Sequence, residues 1–249
     1  MKPPGAFADP PQESSECKEL GAEFDRHAHH YRELHARNIT LSGEQPEYFS
    51  NYKMRDFAAL VRTSNLPENG RFLDFGSGIG NSVVPLQQHL PEARLTCADT
   101  SAESLEIGRA THGRAVDHVL ISATRLPMAD ASFDGAFACC VFHHIPATDQ
   151  PALLLELRRV LKPGGILMIY EHNPLNPLTV RAVNSCPLDE NAVLISATEM
   201  RQRCTTAGWR EASHAYRVFF PATLRWLRGL EDHLRWLPLG AQYFVCLRA

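Results

Sequence analysis

The chain lacks the residue spacings that mark several familiar binding sites. Its seven cysteines are an odd number and none forms Cys-x-x-Cys, which argues against a disulfide framework and against the common zinc and redox motifs. Cys97, Cys139, Cys140 and Cys246 fall in predicted strands, where cysteine behaves as a small buried hydrophobe. No apolar run approaches the ~20 residues that cross a bilayer, and the N-terminus has no apolar signal-peptide core. A reduced, cytoplasmic protein that enters no membrane is therefore expected. The glycine-rich stretch lacks Gly-Lys-Ser/Thr, which excludes a P-loop, and Asn81 stands where a dinucleotide fingerprint requires glycine. A net charge of −3 offers no attraction to nucleic acid or acidic lipid. Repeats and low-complexity segments are absent apart from a proline-rich start.

What is present is the composition of an ordinary soluble protein, 44% apolar and 21% charged, with a length of 249 residues that suits one α/β domain, organised around Leu73-Asp74-Phe75-Gly76-Ser77-Gly78-Ile79-Gly80-Asn81. A short apolar run ends at Phe75, glycines follow, and helical spacing resumes at Val83, Leu86 and Leu90, so strand, tight turn and helix are predicted. Glycines there permit positive φ and let a ligand approach the backbone, while the following helix offers free N–H groups. Arg94 to Ala98 reads as the next strand. Asp99 closes it, placed to accept hydrogen bonds from ribose hydroxyls. The pair points to a nucleoside without phosphate.

Asp74, Gly76, Gly78, Gly80 and Asp99 resemble the cofactor motifs of class I S-adenosylmethionine-dependent methyltransferases. Leu126-Pro127, Ser132-Phe133-Asp134, Val141-Phe142-His143-His144-Ile145-Pro146 and Arg159-Val160-Leu161-Lys162-Pro163-Gly164-Gly165 are similar in order and spacing to the small-molecule, methyltransferase-11-like branch. The resemblance covers about Phe72 to Met168. It implies a doubly wound, Rossmann-like seven-stranded sheet with an antiparallel last strand, an N-terminal helical lid and a cap after strand five. It implies S-adenosyl-L-methionine as cofactor, held by Asp74, Gly76, Ser77, Gly78, Gly80, Asp99, Thr100, Ser122, Ala123, Leu126, Cys140 and Tyr31. Ser122 departs from the family, which often carries an acid there to read the adenine amino group.

Along the chain, residues 1–16 read as a disordered tail, 17–64 as the helical lid, and 65–249 as the methyltransferase domain with a cap insertion over 173–197. Tyr31, Tyr48 and Tyr52 are candidates for the cofactor cover. His27, His29, His30 and His35 spread over different helix faces, so no metal is expected from them. Ile166 to Tyr170 is a continuous apolar run, as a doubly covered central strand requires. Its carboxyl end, with Glu171 and His172, is expected to face the reaction space together with His143 and His144, and these four are the candidate bases or acceptor ligands. O- or N-methylation of a small molecule is the leading expectation, by a monomer or homodimer. Cyclisation of the cofactor to azetidine-2-carboxylate, with Glu171 near its amine, is the alternative, and a non-catalytic nucleoside-binding protein is the alternative from another class.

Overall fold

The structure, a computed structural model, describes residues 21–22, 24–26, 28–30, 34, 39–122 and 125–249. The predicted tail, most of the first predicted helix, and Tyr31, His27, His35 and Ala123 lie outside the described residues.

Seven strands, β1 (Arg71–Phe75), β2 (Arg94–Asp99), β3 (Asp117–Leu120), β4 (Phe133–Cys139), β5 (Leu161–His172), β6 (Arg210–Arg217) and β7 (Gln242–Arg248), form one sheet in the order β3-β2-β1-β4-β5-β7-β6. β1 to β5 pair in parallel, and β7 runs antiparallel between β5 and β6. The strand order reverses between β1 and β4, and a crevice opens at such a switch point beyond the strand carboxyl ends. Helices α1 (Pro46–Thr63), α2 (Val83–His89), α3 (Ala102–His112), α4 (Gln150–Val160), α5 (Pro177–Asn184) and α6 (Ala197–Thr206) flank the sheet.

One face is sealed by α1 and α2, whose Met54, Phe57, Val61, Val83 and Leu86 pack on Phe72, Phe137, Met168 and Tyr170. The other is sealed by α4 and α6 through Leu153, Leu154, Leu157, Met200 and Cys204 against Leu73, Ala136, Leu167 and Ile169. Burial of both faces is why the centres of β4, Ala136 to Cys139, and β5, Ile166 to Tyr170, read as apolar runs. The sheet thus matches the expected architecture.

Three local readings change. β3 is shorter than the Val116 to Ser122 run that the sequence predicts, and the Ile121 N–H makes its last ladder bond, to the Asp99 carbonyl at 3.0 Å. The helix that the sequence predicts over Pro221 to Leu230 is a 3-10 helix, Ala222–His233, with non-helical backbone at Leu224. The cap contains a true helix, α5, started by the Asn176 side chain accepting from Leu178 N at 3.0 Å and Thr179 N at 3.1 Å, with Pro177 behind it. That Asn-Pro signal is a standard helix start. Among the described residues no helix is long and apolar enough to cross a membrane.

Candidate active site

A cavity of about 360 Å³ occupies the switch point, within the range of small-ligand sites. Its floor is the carboxyl ends of β1, β2, β4 and β5, contributing Asp74, Asp99, Cys140 and His172. Its walls come from α1 (Phe49, Lys53, Met54), from the cap (Thr179, Val183, Leu188, Asp189) and from Phe219, Phe220 and Pro221 after β6. Phe24 and Ile39, from the segment ahead of α1, also line it.

The turn after β1 carries three glycines at positive φ, of which Gly76 and Gly78 border the cavity. Gly76 sits at φ +73, and a Cβ there would fall 2.4 Å from a Val141 methyl. Gly78 sits at φ +53, and a Cβ there would meet nothing within 4 Å, so its backbone borders open space. The Gly78 N–H donates to Asp99 Oδ2 at 2.7 Å, and the Ser101 N–H donates to Asp99 Oδ1 at 2.9 Å. A carboxylate has about four acceptor positions. With the Thr100 N–H also directed at it, the Asp99 carboxylate keeps capacity for at least one further donor. Burial raises its pKa, opposed by those N–H groups.

Asp74 lies beneath the same turn and accepts from the Ser82 hydroxyl. Burial pushes its carboxyl up to about 7, with the Ser82 bond lowering it, Asp99 raising it and Lys53 lowering it. A folded-state pKa above the ordinary 3.8 means the native chain holds an extra proton between about pH 4 and pH 7. Stability from this group is thus fully present at low pH and is lost as pH rises through 7. Asp74→Asn is expected to flatten the slope of unfolding free energy against pH in that window by up to about 1.4 kcal/mol per pH unit. Urea unfolding of both proteins at pH 5, 6, 7 and 8 checks it, and parallel slopes would show that Asp74 does not titrate there.

Cys140 follows β4 with φ +59. Its Sγ lies 3.1 Å from Lys53 Nζ and 3.6 Å from Gln242 Nε2. Burial raises the thiol pKa, but Lys53 and then His172 reverse this and hold it at about 6.

The four candidate catalytic residues divide. His144 and His172 line the cavity, whereas Glu171 and His143 lie behind its wall. Glu171 is a correction. Its side chain is 1% exposed. Oε1 accepts the Val141 and Phe142 N–H groups at 3.0 and 2.8 Å, and Oε2 accepts from His143 Nδ1 at 2.5 Å. Side chains alternate faces along a strand. Glu171 shares the face of Leu167 and Ile169, which pack toward α4 and α6, while His172 shares the face of Met168 and Tyr170, which pack toward α1. Burial raises the Glu171 pKa, yet His143 and the N–H donors outweigh it and keep the carboxylate charged. It works as an anchor for the loop after β4.

Asp189, from the cap, was missed by sequence reasoning. Its Oδ1 stands 3.5 Å from His143 Nε2 and 3.4 Å from His144 Nε2. Burial raises its pKa, but the two histidines lower it well below the usual carboxylate range. Burial lowers the His143 pKa, whereas Glu171 and Asp189 raise it to about 10. Burial lowers that of His144, against Asp189.

Of the predicted cofactor residues, Asp74, Gly76, Ser77, Gly78, Asp99, Thr100 and Cys140 line the cavity. Gly80, Ser122 and Leu126 are not among its lining residues. Gly80 serves the turn itself, its N–H reaching Ser77 O at 3.0 Å. Ser122 forms an isolated bridge with Arg125. Leu126 is 1% exposed in the core, its N–H donating to Glu156 at 3.0 Å. Ile121 takes the apolar position beside β3. Tyr48 and Tyr52 face away from this cavity and line a smaller recess with Arg228 and Glu231. His29 is exposed and pairs with Glu103 at 2.8 Å.

Residues 73–169 match a family model described as a methyltransferase domain. A ubiquinone/menaquinone biosynthesis C-methyltransferase from Hahella chejuensis is 31% identical over 129 residues, 49% of this chain and 51% of that protein. An O-methyltransferase from Pyrenophora dematioidea is 26% identical over 206 residues, 77% of this chain and 75% of that protein. Among solved structures, an S-adenosylmethionine-dependent methyltransferase from Thermotoga maritima superposes with a TM-score of 0.64 at 21% identity, covering 92% of this chain and 99% of that one. Another from Aquifex aeolicus gives 0.56 at 18% identity, covering 76% of this chain and 87% of that one. The chain spans about half the length of the first curated relatives it matches. The structural likenesses speak to the fold.

Proposed function

We propose, from the premise that residues 73–169 belong to the methyltransferase domain family whose methyl donor is S-adenosylmethionine, that the chain methylates a small, largely apolar acceptor at a hydroxyl or amine. The observation that carries this reading is the open Gly78 backbone beside an Asp99 carboxylate with acceptor capacity to spare. Such a floor fits a nucleoside whose ribose hydroxyls donate to Asp99 and whose amino-acid arm lies over Gly76, Ser77 and Asp74. Ile121 and Phe24 offer apolar contact for the base.

When bound, the cofactor supplies an electrophilic methyl group, so the chemistry asked of the chain is alignment, exclusion of water and removal of one proton. Phe49, Leu178, Phe219 and Phe220 give the acceptor an apolar enclosure. His172 faces it and takes the proton as the new bond forms. The segment ahead of α1 covers the cofactor end: Asp25 Oδ1 accepts from the Ser101 hydroxyl at 2.6 Å, and the Phe24 ring meets His144 at 5.0 Å. The cap over 173–197 closes the acceptor end.

Cofactor cyclisation loses its motive, because the base it relied on, Glu171, is turned behind the cavity wall. Incubation with methyl-labelled S-adenosylmethionine and pooled phenols, quinols and amines tests the proposal. Label should pass to an acceptor with stoichiometric S-adenosylhomocysteine, and turnover should be negligible without one. Methylthioadenosine formed from the cofactor alone would overturn methyl transfer.

A further inference from the structure

His143, His144 and Asp189 bring together donors from two separate parts of the chain, the loop after β4 and the cap. Their ligating atoms all lie within 4.8 Å of one another. The two contacts to Asp189 Oδ1, 3.5 and 3.4 Å, are too long for charge-assisted hydrogen bonds, which close to about 2.7–2.9 Å. The other nitrogen of the His143 ring meets a carboxylate much more closely, Glu171 at 2.5 Å. Ligand atoms about 2.0–2.1 Å from a tetrahedral metal stand about 3.3 Å apart. The Asp189 contacts have the separation of two ligands sharing an ion.

The His143 ring supplies a second, independent observation. Its Nδ1 is committed to Glu171, while Nε2 is buried without a hydrogen bond and is directed toward Asp189. Metal-ligating histidines are held this way, the non-ligating ring nitrogen donating to a carboxylate that fixes tautomer and orientation. Glu171, itself fixed by two backbone N–H groups, is that carboxylate.

We propose that His143 Nε2, His144 Nε2 and Asp189 Oδ1 bind one divalent transition-metal ion, with a further coordination position directed into the cavity. Two imidazoles and one carboxylate suit zinc, iron(II) or cobalt(II), whereas magnesium and calcium favour all-oxygen sites. Three protein ligands with one position left to a small molecule is the pattern of catalytic metal sites. The site's small-molecule ligand is then an oxygen donor, a hydroxyl or carboxylate, on the acceptor. That last assignment rests on the methyl-transfer reading; the metal site does not.

The test uses the full untagged chain, stripped with chelator and titrated with cobalt(II) in competition with a chromophoric chelator. One equivalent is expected, with visible bands of a four- or five-coordinate nitrogen and oxygen site. Asp189→Asn, which keeps the side-chain shape, and His144→Gln should each weaken binding by more than about a hundredfold, since even a supporting residue such as Glu171 should cost about 10–100-fold when changed to glutamine. Cys140→Ser and the His29→Ala/His30→Ala pair should leave affinity unchanged. Absence of stoichiometric binding, affinity indifferent to Asp189→Asn, or a thiolate charge-transfer band that vanishes in Cys140→Ser would each overturn the site. Calorimetry of S-adenosylhomocysteine with the stripped protein is run in parallel. Loss of nucleoside binding alone would sink the methyl-transfer reading, and loss of cobalt binding alone would sink the metal site.

Discussion

Arg217→Met is expected to destabilise the chain by about 3–5 kcal/mol and to lower its thermal midpoint by roughly 10 °C. Arg217, 1% exposed, meets Asp56, 5% exposed, through Nε at 2.7 Å and through a second contact from Nη2. Its guanidinium carbon also lies 5.0 Å from the centre of the Tyr52 ring. Methionine fills most of the volume, so the main cost is a buried Asp56 carboxylate left without its counter-charge. Asp56→Leu/Arg217→Met together should recover most of the loss, because replacing both members of a buried pair by apolar groups is often neutral or favourable. Urea and thermal unfolding of the three variants provide the measurement. A double variant as unstable as Arg217→Met would show that packing, not charge, is at stake. The pair also matters to the site: it joins α1 to the end of β6, just before the Phe219 and Phe220 wall, whose N–H groups donate to Glu231 at 3.0 and 3.1 Å.

Legibility in the sequence follows how local the determining physics is. The β1 turn was readable because a strand, positive-φ glycines and a helix announce themselves within a dozen residues. Asp99 was readable because its place is fixed by the length of one βα unit. The doubly wound seven-stranded sheet and the antiparallel β7 came with the family resemblance, and the structure carries both.

Glu171 was misplaced for a specific reason. A strand buried on both faces shows no hydropathy alternation, so nothing in Ile166 to Tyr170 tells which parity faces the crevice. A one-residue error in parity exchanges Glu171 for His172. Leu126 failed similarly: a leucine after β3 can lie against a ligand or in the core, and its burial follows from α4, whose Glu156 holds its backbone. Asp189 and Lys53 could not be assigned from sequence at all. Each reaches the cavity from an element more than 40 residues distant from its partners in the loop after β4, through tertiary packing alone.

Asp99→Ala should weaken S-adenosylhomocysteine binding by about 3–5 kcal/mol, roughly 150-fold to several thousandfold, because two losses add. Hydrogen bonds to a charged acceptor are each worth about 1.5–3 kcal/mol, and the ribose offers two hydroxyls. The carboxylate also holds the Gly78 and Ser101 N–H groups, so its removal loosens the turn the amino-acid arm rests on. Asp99→Asn separates the parts. The amide retains an oxygen acceptor for one of those backbone groups but gives up the charge and turns a donor toward the other, so its affinity should fall between wild type and alanine. Calorimetric titration of all three at pH 8 gives the affinities, and protease sensitivity within the 76–82 turn, with and without nucleoside, reports whether the turn has loosened. If alanine binds as wild type does, the ribose is held elsewhere and the nucleoside assignment of this floor fails. If alanine and asparagine lose affinity equally while the turn stays protected, the charge itself is what the ribose reads.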